Sequence, residues 1–335
     1  MTYTSGGLIE AVDYNTFVSG SGNNINKIWS TGSTDTGYGE PTIANVSVGG
    51  TVTATQWATL VNNLANIGSH TNTTLTSRTA PVAGNVIAVL ANVATDINTV
   101  TSNRGNAVAS GTEYGVFTGT TSKTTATGSG TAAWTITFTH TLTFASADAT
   151  RYFFNAGGLV RLQYGKSSTG TDHDPDWNTL AGQCGSIFFS GRVNATTNTI
   201  AGQAYTGTTR LNGTGGTQTT LATTTGYYNL TPGAGAVTLF QLNNATSPYT
   251  PEFIRTTVAL NAGSTVLTFT TTWVDDGSAV AGATSNISGG TGVSSPATSI
   301  GAATAPTTLL TYRPPSSTYL PTASWGTPTI AASVS

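Results

Sequence analysis

The most regular hydrophobic pattern in the chain is the run WTITFTHTLTF at residues 134–144. Apolar side chains alternate with threonine, and His140 falls on the apolar parity. Alternation with a period of two predicts a β-strand with one buried and one exposed face. The exposed row is threonine throughout, at Thr135, Thr137, Thr139, Thr141 and Thr143. Threonine favours strands and forms hydrogen bonds, so this row suits coverage by another sheet or subunit.

The first hundred residues carry apolar side chains at helical spacing instead. We predict a helix over 14–29, with Asp13 as the cap. A second helix is predicted over 53–68, with Thr53 or Thr55 as the cap and Gly68 as the stop, and a third over 84–105. The second segment has the clearest pattern. Glycines at two positions inside the first segment weaken its helical propensity.

These three short amphipathic helices cannot bury both of their faces alone. Their polar faces carry asparagine and threonine in place of charge pairs. Two arrangements remain open, a three-helix core within one chain or a helical interface between subunits about a symmetry axis. The residues that we predict to form an assembly interface are Phe17, Ile25, Ile28, Trp29, Trp57, Leu60 and Leu64.

From about residue 107 the pattern changes to short strands bounded by Gly, Asn, Asp or Pro. Two short helices interrupt them, one capped by Ser146 and one with Pro175 in its first turn. Strands without long helices between them predict an antiparallel sandwich. The predicted fold class is therefore α+β, with a helical docking or oligomerisation region at 1–106, a β-sandwich at 107–312 and an extended, proline-rich C-terminal tail at 313–335.

Two further segments have distinctive composition. The tail contains four large apolar residues, which suggest that it lies on a neighbouring subunit, and they are Tyr319, Leu320, Trp325 and Ile330. The stretch 282–306 is low in complexity, which predicts a long surface loop. The chain shows no internal repeat of fixed period.

Charge is scarce and evenly spread. Charged residues make up 7% of the 335 residues, against about 25% in an average soluble domain. The net charge is -2 and the basic residues are scattered, so no nucleic-acid or anionic-membrane footprint is visible. A surface with so few charges is poorly protected against association. Coverage by other subunits, or a role outside a cell, where surfaces rich in Thr, Gly and Asn are common, is favoured over a freely soluble β protein.

Targeting and cross-linking signals are also absent from the sequence pattern. The N-terminal residues lack the basic and apolar regions of a secretory signal, and no apolar run could span a bilayer. Cys184 is the only cysteine, so an intramolecular disulfide is impossible. Stability must come from packing or subunit association.

The candidate chemistry is weak. The run DHDPDW could offer metal ligands from Asp172, His173, Asp174 and Asp176, but a turn that caps the following helix is favoured. VDDG at 274–277 indicates a hairpin turn. No nucleophile and base motif or paired-carboxylate motif occurs, so we predict no catalytic residues, cofactor or metal. His140 is interpreted as a neutral core or interface histidine, with a pH-sensing role as the alternative.

Several stretches resemble virion structural proteins of tailed bacteriophages, especially those of cyanobacteria and other aquatic hosts. They are DYNTFVSGSGNNINKIWSTGSTDTGYGE with TVTATQWATLVNNLANIGSH, then FASADATRYFFNAGGLVRLQYG, and LLTYRPP. The resemblance covers most of the N-terminal region and the middle of the β region, and 190–305 is unsupported. No enzymatic motif or functional residue is carried over with it.

The resemblance implies a non-enzymatic component of the tail, neck or a fibre or appendage, assembled in the host cytoplasm and released by lysis. The expected partners are further copies of the chain, as a homo-oligomer such as a trimer, and other virion proteins, without nucleic acid or membrane. The competing hypothesis is a receptor adhesin at a fibre or spike tip. It would bind host glycans through Trp177, Tyr227, Tyr228 and Tyr249. A polysaccharide depolymerase is not expected.

Overall fold

The computed structural model describes most of the 335 residues. These are residues 11–83, 92–107, 109, 113, 134–166, 173–191, 199–200, 203–204, 207–245, 250–275 and 306–335. The α-helices are α1 (Ala11–Ser19), α2 (Ile25–Trp29), α3 (Ala54–His70), α4 (Val93–Asn103), α5 (Ala147–Asn155) and α6 (His173–Cys184). The strands are β1 (Trp134–Thr143), β2 (Leu159–Gly165), β3 (Ser186–Phe189), β4 (Thr199–Ile200), β5 (Gln203–Ala204), β6 (Thr208–Leu211), β7 (Thr217–Leu221), β8 (Val237–Asn243), β9 (Phe253–Leu260), β10 (Val266–Asp275), β11 (Thr307–Arg313) and β12 (Thr329–Val334).

The first predicted helix is divided into α1 and α2. At Gly20 a Cβ atom would lie 2.6 Å from the carbonyl oxygen of Thr16, so the chain turns where a side chain would not fit. Asn24 then starts α2, because its side chain accepts a hydrogen bond from the backbone N–H of Lys27 at 3.0 Å. The single helix predicted over 14–29 is therefore wrong. Asp13 does not cap it, because Asp13 lies inside the first turn of α1. The two pieces still bury the predicted apolar residues.

Helix α3 follows its sequence signals closely. Thr53 and Gln56 form a capping box, in which each side chain accepts a hydrogen bond from the other residue's backbone N–H. The helix ends at His70, two residues beyond the predicted glycine stop. Helix α4 lies inside the predicted segment 84–105, of which 84–91 falls outside the described residues.

Two antiparallel sheets form the β region, which confirms the α+β class with a sandwich. The larger sheet has the order β12-β1-β10-β9-β8-β7, and the smaller has the order β11-β2-β3-β6. Strands β4 and β5 pair separately. Strand β1 pairs with β10 without interruption from Trp134 opposite Asp275 to Thr143 opposite Val266.

Buried hydroxyl groups connect the two sheets across the sandwich interior. The hydroxyl of Tyr164 on β2 lies 2.7 Å from the Oγ1 of Thr256 on β9, which lies 2.8 Å from the Oγ1 of Thr271 on β10. The indole N–H of Trp273 on β10 donates to the Oγ1 of Thr308 on β11 at 3.3 Å. Because buried polar groups are costly without partners, these contacts fix how the sheets lie against each other.

Helices α5 and α6 close the sandwich with aromatic side chains. Ser146 caps α5 as predicted, and Phe154 on this helix contacts Phe189 on β3 with ring centroids 5.9 Å apart. Helix α6 begins at His173, two residues before the predicted start at Pro175. Its Trp177 lies 5.7 Å from Trp273 on β10, measured between ring centroids.

The C-terminal segment packs on its own chain. Leu320 is 0% exposed and Trp325 is 3% exposed, while β12 pairs with β1. The carboxylate of Glu40 accepts hydrogen bonds from the backbone N–H and the hydroxyl of Thr322. The expectation that this tail lies on a neighbour is therefore wrong for Leu320 and Trp325, because both complete the core of the same chain.

The helical N-terminal region and the sandwich share one continuous hydrophobic core. Asn155, at the end of α5, donates to the carbonyl oxygens of Thr34, Thr36 and Gly37 at 2.9–3.3 Å. His70 of α3 lies 2.9 Å from the carbonyl oxygen of Ala156 through its Nε2 atom. The boundary predicted near residue 106 thus marks a change of secondary structure within one packed core.

The substitution Asn155→Ala tests this connection. It removes the amide that serves three loop carbonyls, and we expect the free energy of unfolding to fall by about 1–3 kcal/mol. Amide exchange over residues 31–40 should accelerate more than exchange in β9. The control Tyr228→Phe removes the hydroxyl that lies 2.6 Å from Asn155 Oδ1 and 3.0 Å from the carbonyl oxygen of Thr34. It leaves the contacts of the Asn155 amide in place and should cost less. Unchanged exchange over 31–40 would show that other contacts hold the loop.

Candidate assembly surface

The seven residues predicted to form an assembly interface lie inside the chain. Their exposed fractions run from 0% for Ile25 to 5% for Phe17. Trp57 packs edge-on against Tyr14 and Phe17, with ring centroids 5.2 and 6.1 Å away. The other members, Ile28, Trp29, Leu60 and Leu64, belong to the same buried cluster. These residues pack as the alternative of a helical core within one chain predicts. Because they are buried in their own chain, we correct their assignment to an assembly interface.

The threonine row of β1 lies on the outer face of the six-stranded sheet. The opposite parity of the strand, from Ile136 to Leu142, is buried in the sandwich. Thr135 and Thr143 are exposed at the two ends, and Thr137, Thr139 and Thr141 are partly exposed between them. No other part of the described chain buries this row, which lies on the protein surface.

Neighbouring strands extend the row into a sheet-wide face. Thr137, Thr139 and Thr141 lie opposite Thr272, Thr270 and Thr268 of β10, respectively. Beyond β10, Thr270 lies opposite Thr257 of β9, which lies opposite Thr238 of β8. On the other side, Thr139 lies opposite Ser333 and Thr141 opposite Ala331 of β12. We call this set of outward side chains on β12, β1, β10, β9 and β8 the threonine face.

The threonine face is almost free of charge. Among the outward side chains of its five strands, Arg255 on β9 is the charged one, and its guanidinium lies over the Phe253 ring at 5.2 Å. Each threonine offers one hydroxyl that can donate and accept a hydrogen bond, and one methyl group. Burying this face in a contact would therefore avoid most of the desolvation cost that a charged surface carries.

Charged groups elsewhere serve internal contacts. Asp96 accepts from Arg78 at 2.5 Å and from the backbone N–H of Thr76, and both ionic side chains are largely buried. Glu113 accepts from Arg161 at 2.6 Å and from Arg313 at 3.1 Å. These pairs join segments that are distant in sequence, so they fix packing.

The described residues contain no cluster of His, Cys, Asp or Glu that could hold a metal ion. In the DHDPDW run, Asp172 falls outside the described residues, whereas His173 and Asp174 begin α6, and Asp176 follows in its first turn. In the VDDG run at 274–277, Asp276 and Gly277 fall outside the described residues, and so does the hairpin turn predicted there. Cys184 is buried, and burial raises the pKa of its thiol, which makes it a poor nucleophile.

The two buried histidines are held in their neutral form. Burial lowers the pKa of His70 to about 4, although its hydrogen bond with the backbone of Ala156 acts in the opposite direction. Burial also lowers the pKa of His140 to about 4, against the effect of a hydrogen bond with the backbone of Thr308. His140 reaches from β1 to β11 and so contributes to the contact between the sheets.

The aromatic residues considered for glycan binding are engaged in packing. Trp177 is 2% exposed, and Tyr227 stacks on Phe154 with ring centroids 4.7 Å apart. Tyr228 donates its hydroxyl to Asn155 Oδ1. Tyr249 falls outside the described residues. Trp177 and Tyr227 are therefore not available to stack on a sugar, and their assignment to a glycan site is corrected, whereas Tyr228 is partly exposed.

The fold defines an α+β protein, a helical N-terminal region on an antiparallel sandwich with an uncharged outer face. No family model, curated protein or solved structure was found to match the chain. Within the described residues, no helix has both the length and the apolar character to cross a bilayer.

Sequence reasoning missed the polar residues that organise this fold. Asn155 and Glu40 are buried and hydrogen-bonded to distant loops, but neither carries a motif. For Asn155 the available signal was a polar residue on the buried side of the amphipathic helix α5. Glu40 lies in a loop and gave no such signal. In contrast, the outward threonines of β1 were visible in the sequence from their parity alone.

Proposed function

We propose that the chain is a non-enzymatic structural component of a tailed-phage virion, in the tail, the neck or a fibre or appendage, that acts by subunit assembly. The observation that carries the proposal is the threonine face, a regular and nearly uncharged surface on an antiparallel sheet. The resemblance of the N-terminal and middle segments to phage virion proteins supplies the class of particle. The threonine face supplies the surface for assembly.

The dimensions of the threonine face suit a protein contact. Five strands about 4.8 Å apart, with about 3.3 Å per residue along each, give a face of roughly 500–600 Å². A standard stable interface buries about 800 Å² per partner, so this face could supply most of one. Its hydroxyl groups can exchange hydrogen bonds with a partner, and its methyl groups can pack.

The helical region has a different role in this proposal from the one predicted by its pattern. Its apolar residues stabilise the subunit, because they are buried within the chain. Contacts with other subunits therefore depend on surfaces that remain accessible after folding. We therefore assign subunit assembly to the outer face of the sheet and not to the helices.

The adhesin alternative has no specific support among the described residues. Its candidate rings Trp177, Tyr227 and Tyr228 are buried or partly buried in packing contacts. We therefore retain the structural role alone. Glycan-array binding by the full chain would reopen the alternative.

The first experiment asks whether the chain occurs in particles. Purified particles from the source phage would be analysed by quantitative mass spectrometry and by electron cryo-microscopy. We expect a fixed copy number in intact particles and density that fits the sandwich. Absence of the chain from purified particles would contradict the proposed function.

Charge placed on the threonine face should block assembly. We expect Thr139→Lys combined with Thr257→Lys to reduce incorporation into particles at least tenfold, because each buried unpaired charge costs several kcal/mol. These residues lie on either side of Thr270 and are not directly paired with each other. Copy number per particle would be measured by quantitative mass spectrometry.

Two controls separate charge from folding. Thr139→Val with Thr257→Val keeps the β-branched shape without charge and should retain most incorporation. Thr223→Lys adds a charge at an exposed turn outside the face and should leave incorporation unchanged. Normal incorporation of the double lysine variant, with an unchanged melting temperature, would exclude the threonine face as the assembly surface.

A further inference from the structure

Strand β12 forms one edge of the larger sheet, and its hydrogen-bonding pattern shows which groups point outward. Thr137 and Ser335 exchange both of their backbone hydrogen bonds, each at 2.9 Å. In an antiparallel pair such exchanges recur at every second residue. Ser333, Ala331 and Thr329 therefore bond to β1, and Ile330, Ala332 and Val334 direct their N–H and C=O groups away from it.

The outer side of β12 is a regular strand edge. Its pairing with β1 contains no bulge, and the sheet order places no described strand beyond it. The sequence TIAASV has no charged residue and no proline. Natural proteins usually protect such edges with charges, prolines or bulges, because unpaired backbone groups invite another strand.

The other edge strands of the two large sheets differ from β12 in this respect. Strands β6 and β11, at the edges of the smaller sheet, carry Arg210 and Arg313. Strand β7, at the far edge of the larger sheet, pairs with β8 through an irregular register between Thr217 and Thr220. Each of these edges has a feature that opposes strand addition, and β12 has none within its length.

We propose that β12 pairs with β12 of a second copy of this chain, antiparallel and about a twofold axis at Ala332. In that register Ala332 lies opposite Ala332 of the partner subunit, and Ile330 lies opposite Val334 of the partner subunit. The outward groups of the three residues in each copy then form six hydrogen bonds. The two six-stranded sheets become one continuous sheet of twelve.

The side chains match across this axis on both faces of the sheet. On the inner face, where Ile330, Ala332 and Val334 are partly buried, apolar residues meet apolar residues. On the outer face, Ala331 meets Ser333 of the partner, so small exposed residues lie side by side. No side chain of β12 is charged, so no like-charged side chains of the two strands meet in this pairing.

The pairing adds a defined partner to the proposed assembly. The proposed pairing rests on the proposed function only in that a structural subunit contacts further copies of itself. The exposed edge of β12 is present whether or not the chain belongs to a particle. A twofold pair would place two threonine faces in one surface and double the area that a third partner can contact. Pairing through β12 therefore extends the sheet in its own plane, whereas the threonine face contacts a partner that lies against the sheet.

Sedimentation equilibrium of the full chain tests the pairing in solution. We expect a reversible monomer–dimer equilibrium, and a substitution Ala332→Pro that raises the dissociation constant at least tenfold. The proline removes an outward N–H, while the bonds of Ala331 and Ser333 to β1 remain. A wild-type chain that stays monomeric up to about 100 μM would overturn the proposal.

A charge pair tests the register, since residue 331 is expected opposite residue 333 of the second copy. Ala331→Lys with Ser333→Lys should raise the dissociation constant at least tenfold, because like charges would meet. Ala331→Glu with Ser333→Lys places opposite charges at the same positions and should restore dimerisation. Equal dimerisation of the two variants would overturn the proposed register. A different protein strand along β12 in a particle map would overturn the second-copy assignment.

These outcomes are separable from those of the proposed function. A chain that dimerises through β12 but is absent from particles would retain the pairing and lose the virion role. A chain that is present in particles but monomeric in solution would retain the virion role and exclude the pairing.

Discussion

Replacing Trp57 with aspartate is expected to unfold the whole chain. Trp57 is 0% exposed and packs against Tyr14 and Phe17 in the helical core. Truncating a buried tryptophan alone costs about 3–5 kcal/mol, and burial of an unpaired carboxylate adds several more. Because domains are stable by only about 5–15 kcal/mol, we expect loss of the near-ultraviolet circular dichroism signal and of cooperative unfolding.

Two comparisons make this result specific. Thr59→Asp places the same acid at an exposed position on the same helix and should change the free energy of unfolding by less than about 1 kcal/mol. Trp57→Phe keeps an aromatic ring and should cost less than aspartate. If the Trp57→Asp chain stays folded but fails to enter particles, the original assignment of this residue to an assembly interface is restored.

Acidification is expected to destabilise the fold through His70 and His140. Burial lowers both pKa values from an ordinary value near 6.5 to about 4. The unfolded chain therefore binds more protons than the folded chain between these values. The stabilising contribution is complete above pH 6.5 and is lost as the pH falls toward 4. Each histidine contributes roughly 3 kcal/mol over this range, since one pKa unit corresponds to about 1.4 kcal/mol.

Urea denaturation at pH 7.0, 5.5 and 4.5 would measure this effect. His70→Gln and His140→Gln should each reduce the loss of stability between pH 7.0 and 4.5, because glutamine does not titrate. Comparing each variant with wild type cancels the contribution of the carboxylates that also titrate at low pH. Parallel stability curves for all three chains would show that neither histidine is responsible.

Local elements could be predicted from the sequence where the signal is itself local. The capping box at Thr53 and the cap at Ser146 depend on residues three positions apart, and both helices form as expected. The alternation in strand β1 likewise predicted which side chains are buried between Thr135 and Thr143. These features depend little on the rest of the chain.

The sequence could not predict in the same way which residues, of this chain or of another, bury each apolar surface. An amphipathic stripe shows that Leu60 and Leu64 need burial, but the pattern is the same whether the cover belongs to the same chain or to another. Leu320 and Trp325 raised the same ambiguity in the tail, and their own chain covers them. Contacts such as Asn155 to Gly37 join residues 118 positions apart and leave no trace in local spacing.

The pairing of β1 with β12 also has a consequence for the order of folding. Thr143 lies opposite Thr329, and Glu40 bonds to Thr322 across a separation of 282 residues. High contact order slows folding, because the entropy of closing long loops must be overcome before these contacts form. During synthesis β1 remains without its β12 neighbour until the C-terminal segment has been made. The strand edge that we propose for dimerisation is therefore made only after every other strand of the larger sheet has been translated.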